Sequence, residues 1–150
     1  MLGKVYFASP FFKEDQIERE ERCKSKLRDL GFDVFSPKEA FVVKPNQDQK
    51  TREKVFAMNL ANIKSADVIF AVTDGKDVGT IFEAGCAYGI NQEKISHKIK
   101  IVYYCETLPE GAPFNVMLGK SADVVITKFE DLDKLSEWLE TGHKYEGKVQ

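Results

Sequence analysis

Neither metal chemistry nor a disulfide framework is indicated by this chain. Its three cysteines, Cys23, Cys86 and Cys105, are odd in number, widely spaced and without a C-x-x-C pair. His97 and His143 are its only histidines, one in a polar insert and one in a charged tail, with no second ligand at metal spacing. No metal or cofactor is expected. An excess of one charge is also missing: 22 Lys and Arg against 24 Asp and Glu give a formal net charge of −2, with no basic run or stripe. That disfavours a nucleic-acid or anionic-membrane surface and leaves a small molecule as the expected partner. No apolar run reaches membrane-spanning length, and the opening MLGKVYFASPFF alternates like a strand, unlike a signal peptide with its apolar core and cleavage site. A cytoplasmic protein is expected.

The 150 residues, 43% hydrophobic and 31% charged, suit one globular domain over 1–150. Short β-rich runs alternate with helical ones. Lys4 to Ala8, a charged helix from Lys13 to Leu30 and the run Phe32 to Phe35 form a βαβ opening. Gly31 falls just past the helix, where a left-handed cap forms easily, and Ser36-Pro37 ends the second strand. Ala40 to Lys50 reads as a polar loop. A helix from Thr51 to Ser65 carries Val55, Phe56, Leu60 and Ile63 at helical spacing, and DVIFAV, Asp67 to Val72, is a buried-strand pattern. The turn DGKDVG and the helix carrying Glu83 come next, then strands at Ile99 to Tyr104 and Asp123 to Ile126 and a closing amphipathic helix from Glu130 to Glu140. The total is five strands and four helices, and the alternation predicts a doubly wound, parallel α/β sheet. The insert NQEKISHKIK reads as a solvated loop, and the tail from Gly142 to Gln150 as mobile.

In such a sheet, ligands bind outside the carboxyl ends of the strands, where helix N-termini point free amides. Three stretches are expected to meet there: Tyr6 to Phe12, Thr73 to Glu83, and the loop Cys105 to Gly119. Glu83 stands out among them, because between Asp77 and Glu93 it is the only charged residue. Set among Ile81, Phe82, Ala84, Cys86, Ala87 and Tyr88, a carboxylate faces desolvation on almost any helical face. If the helix starts near Thr80, the helix dipole favours its ionised form while the apolar surroundings oppose it. A structural reading stands beside the chemical one: Thr80 to Glu83 spells a T-x-x-E capping box. Asp77, beside glycine in DGKDVG, equally fits a turn former.

Four segments carry a family resemblance. DVGTIFEAGCAYG, with YFASPFF near the start, NLANIKSAD before the third strand and PFNVM after the fourth, resembles the nucleoside 2-deoxyribosyltransferases in order and spacing from about Tyr6 to Met117. The resemblance implies a flavodoxin-like fold and transfer of a 2-deoxyribosyl group between nucleobases through a covalent glycosyl-enzyme intermediate, in nucleoside salvage. It makes Glu83, in the D-x-G-x-x-x-E-x-G stretch that includes Gly79, the nucleophile, Asp77 the carboxylate facing the base, and Tyr6 a contact of the nucleophile. Phe11 and Phe12 fall where family aromatics enclose the base. Asn115, with Met117 beside it, is expected to reach the site of a neighbouring subunit, so a homo-oligomer acting on deoxynucleosides and free nucleobases is implied.

The chemistry fits those residue types. Departure of a base from C1′ builds oxocarbenium character, which an ionised carboxylate beneath that carbon stabilises and then captures. The leaving base needs a proton or hydrogen bond, which Asp77 supplies and later recovers. Two carboxylates in one pocket raise one another's pKa, which favours a protonated Asp77. One departure from the family bears on base preference: Asn59 stands where many members place an aspartate lining the pocket. Two other classes stay open at this point. One is an N-glycoside hydrolase of deoxynucleosides or their 5′-monophosphates, and the other is a nucleotide-binding module in which Glu83 only caps a helix.

Overall fold

A computed structural model describes residues 2–150. Five strands, β1 (Lys4–Ala8), β2 (Asp33–Phe35), β3 (Val68–Val72), β4 (Lys100–Tyr104) and β5 (Val124–Ile126), lie in the order β2-β1-β3-β4-β5. Every pairing is parallel, with Tyr6 beside Phe35 on one side and Ile69 on the other. The order reverses direction between β1 and β3, so the ligand crevice of a doubly wound sheet falls beyond the ends of these two strands. The parallel α/β architecture expected from the alternation is the one observed.

Side chains alternate across the sheet and build one apolar layer on each face. Val5, Phe7, Phe70 and Tyr104 pack with Leu27 of helix α1 (Glu14–Asp29) and with Leu132 and Leu135 near the C-terminus. A fully buried leucine such as Leu27 contributes about 2 kcal/mol by removal from water. On the opposite face Tyr6, Ala8, Ile69 and Ala71 pack with Ile63 of α3 (Gln49–Lys64) and with Ala84 and Ala87 of α4 (Val78–Gln92). The two alanines leave room for α4 to lie close to the strands.

Four features differ from the sequence expectations. Ser36-Pro37 ends β2 but also begins a short helix, α2 (Pro37–Ala40), with Ser36 as its cap and Pro37 at the first helical position, where no amide is needed. The loop after β4 contains a six-residue helix, α5 (Val116–Ser121), capped by Asn115. The closing helix is divided into a 3₁₀ segment, Phe129–Lys134, and α6 (Leu135–Thr141). The tail, expected to be mobile, is tied down. His143 pairs with Val124 and stacks on Trp138 at 3.6 Å between ring centroids, and Val149 pairs with Phe114. Val149 crosses so close to Gly119 that a Cβ there would stand 2.8 Å from its methyl. The insert, in contrast, is an exposed loop closed at its base by Asn91, whose amide donates to the Ile99 carbonyl and accepts from the Ile99 amide, both at 2.7 Å.

Candidate active site

Strands β1 and β3 pack against α4, and Tyr6 of β1 meets its N-terminal half. Tyr6, fully buried on β1, donates its hydroxyl to Glu83 Oε2, so a strand and a helix far apart in sequence are joined through one carboxylate. Burial pushes the Glu83 carboxyl up to about 7; the Tyr6 hydroxyl opposes this and the Asp77 charge adds to it. Tyr6 is held far above its ordinary value, first by burial and then by the Glu83 charge, so its hydroxyl remains a donor. One turn on, the Cys86 thiol is also pushed up, chiefly by burial.

The T-x-x-E capping box, the structural alternative for Thr80 and Glu83, does not form. The helix begins earlier, at Val78, with Asp77 as its cap: Asp77 Oδ2 accepts from the Thr80 amide at 2.9 Å and from the Thr80 hydroxyl at 3.0 Å. Both Asp77 and Thr80 are good capping residues, and the aspartate takes the position. Glu83 is thereby released from a capping role and lies beyond the first turn, where the dipole fades and burial dominates its pKa. Gly79 keeps that turn open, since a Cβ on it would stand 3.3 Å from Asp77 Oδ2.

The other expected residues divide into two groups. Phe11 and Phe12 follow β1 and stack on each other at 4.9 Å, with Phe12 73% exposed. Asn59 sits on α3, which packs along α4, and its Oδ1 is buried without a hydrogen-bond partner. Asn115 and Met117 form the second group. Asn115 spends its Oδ1 on the Met117 and Leu118 amides, at 2.9 and 3.3 Å, and Met117 is 74% exposed. They border a cavity of about 510 Å³ with Thr73, Lys76, Ile81 and Gln150, and neither Tyr6 nor Glu83 lines it.

Three residues that frame the site are absent from the sequence reading. Gln16 is bonded to the Phe12 and Lys13 amides through Oε1, at 3.0 and 3.1 Å. Asp74, 1% exposed, accepts from the Thr107 amide at 2.7 Å, and Arg19 approaches its other oxygen to 3.9 Å. The one signal available was the position of Gln16, three residues into α1 where a glutamine reaches back to the cap.

A five-stranded parallel sheet ordered 2-1-3-4-5, with a tyrosine of β1 bonded to a carboxylate of α4, defines a flavodoxin-like α/β protein. A profile described as nucleoside 2-deoxyribosyltransferase matches residues 5–117, and the chain belongs to that family. It is similar, at 28% identity and a TM-score of 0.77, to the 2-deoxyribosyltransferase of the psychrotolerant bacterium Bacillus psychrosaccharolyticus, over 95% of this chain and 98% of that one. A conserved protein from Enterococcus faecalis V583 shares the fold, at 20% identity and a TM-score of 0.55 over 98% of this chain and 89% of that one. No curated protein matches the sequence. Family and structure together indicate a nucleoside deoxyribosyltransferase. No helix among the described residues is long and apolar enough to cross a membrane.

Proposed function

We propose that this protein transfers a 2-deoxyribosyl group from a deoxynucleoside to a free nucleobase, with Glu83 as the covalent nucleophile. The observation that carries the proposal is the part-buried Tyr6–Glu83 pair, a carboxylate poised at about 7 with one oxygen oriented by a neutral phenol. As the C1′–N bond breaks, its electron pair leaves with the base, and the free Glu83 oxygen bonds to C1′. Asp77 has Oδ2 committed to Thr80, so it is the protonated form of Asp77, with the proton on Oδ1, that supplies the departing base. In the second half the acceptor's nitrogen attacks C1′, the bond to Glu83 breaks, and Asp77 recovers the proton. Each half inverts C1′, so the product keeps the donor's configuration.

Phe11 and Phe12 offer the base an apolar wall, and the unpartnered Asn59 Oδ1 offers an acceptor to a substrate N–H or O–H. A second copy of this chain is proposed to complete the site. Val78 and Phe82 on α4, with Met117 on α5, are exposed large apolar side chains, and an exposed apolar face of this kind favours association. Asn115 and Met117 would then serve a neighbour's Glu83. Two of the three unpaired cysteines are buried, which suits a reducing cytoplasm and a role in nucleoside salvage.

The test is incubation with thymidine and adenine. Deoxyadenosine that appears only when adenine is present supports transfer. Free deoxyribose released whether or not adenine is present would assign hydrolysis instead, and the absence of both products would leave a binding module.

A further inference from the structure

Helix α1 lies on the face of the sheet away from Glu83, yet its first turns touch two of the loops that build the site. Gln16, 9% exposed, accepts the Phe12 and Lys13 amides on its Oε1 and so fixes the end of the aromatic loop. The other end of the same amide faces the turn between β3 and α4: a Cβ placed on Gly75 would stand 3.3 Å from Gln16 Nε2. That turn is sharply constrained. Gly75 and Lys76 both have positive φ, 80° and 54°, and the Lys76 amide closes onto the Thr73 carbonyl at 3.0 Å. It leads directly to Asp77, the cap of the helix that carries Glu83. One helical turn along the same face, Arg19 reaches Asp74 at 3.9 Å and Glu106 at 3.2 Å.

We propose that Gln16 is a positioning residue that sets the spacing between the Phe11–Phe12 platform and the Gly75–Asp77 turn. Resting on the transferase reading, this makes Gln16 the part that holds the base-binding wall at a fixed distance from Asp77. Its side chain touches no reacting atom. It acts through the loop amides on one side and by packing against the glycine on the other. A base bound between wall and turn meets both in register only while that distance is kept.

Hydrogen exchange read by mass spectrometry, together with steady-state kinetics, tests this on the wild type, Gln16→Leu and Gln16→Glu. Gln16→Leu is expected to speed exchange in both segments, 11–13 and 74–77, and to raise KM for the acceptor base roughly tenfold while kcat changes far less. Gln16→Glu keeps the acceptor oxygen and is expected to restore the protection of both segments and most of the affinity. If Gln16→Leu does not fold, Gln16→Ala is read in the same two windows. Faster exchange confined to 11–13 and the first turn of α1 would reduce Gln16 to a helix cap and overturn the proposal. So would an unchanged acceptor KM in a variant that turns over. A wild type without transferase activity would instead reject the functional reading, while the exchange data would still decide whether Gln16 couples the two segments.

Discussion

At the scale of single residues, the site turns on the protonation of Glu83. Its folded value near 7 lies above the 4.5 of a free carboxyl, so between these two pH values the native state holds a proton that the unfolded chain releases. Glu83 therefore lowers stability as pH rises through that window, and the proposed nucleophile is ionised only toward its upper end. The donor kcat/KM is expected to rise with pH toward about 7. Because the Tyr6 hydroxyl pulls the Glu83 pKa down, Tyr6→Phe is expected to move that limb to higher pH; pH–rate profiles of both proteins check it, and a limb that stays in place would remove the pair from the mechanism. Asp77→Asn separates chemistry from capping. Asparagine caps as well as aspartate, so thermal stability is expected to hold, whereas loss of the proton is expected to slow turnover by about 10²-fold or more. Comparable turnover in Asp77→Asn would leave Asp77 a cap and nothing else.

At the scale of elements, α1 presents a second use of buried charge. Lys24, 2% exposed, bonds Glu20 at 2.9 Å, Glu21 at 3.0 Å and Glu39 at 2.8 Å, so α1 and the short α2 are pinned together by ions rather than by apolar contact. Glu20 is itself 1% exposed. Lys24→Met would leave that carboxylate largely uncompensated and is expected to cost about 3 kcal/mol in urea unfolding at unchanged slope. A loss under about 1 kcal/mol would show that Lys38, 3.4 Å from Glu20, suffices as its partner. Helix α2 itself was illegible in the sequence because four residues give no period to read. Helix α5 escaped for a related reason: it is short, and its Val116 and Met117 point outward instead of marking a core-facing stripe. The strands were legible because β1, β3 and β4 are almost wholly buried and read as apolar runs. Glu83 was legible by its isolation. What misled was the cap, because aspartate and threonine three residues apart both fit the position and only the folded backbone decides between them. Arg19 and Asp74 were hidden because their partners, Glu106, the Thr107 amide and each other, lie at distances in sequence that no local pattern reveals, whereas Gln16 offered only its place at the start of α1.

At the scale of the whole molecule, the proposed service of Asn115 and Met117 to a neighbour's Glu83 requires a site made by two chains. Mixing Glu83→Ala with Asn115→Ala, each inactive alone, is expected to restore activity. Random pairing gives mixed dimers with one intact site of two, or about a quarter of all sites. No recovery, with mixed assemblies shown to form, would return Asn115 to a purely capping role. A wholly monomeric protein at micromolar concentration would do the same. The central claim is narrower than any assembly: Glu83 carries the sugar. Intact and peptide mass spectrometry of the protein mixed with a deoxynucleoside, with no acceptor base present, tests it most directly. The account predicts one added deoxyribosyl group per site, located on the peptide containing Glu83, lost when a free base is supplied and absent in Glu83→Ala. An adduct on another residue, or transfer that persists in Glu83→Ala, would contradict it.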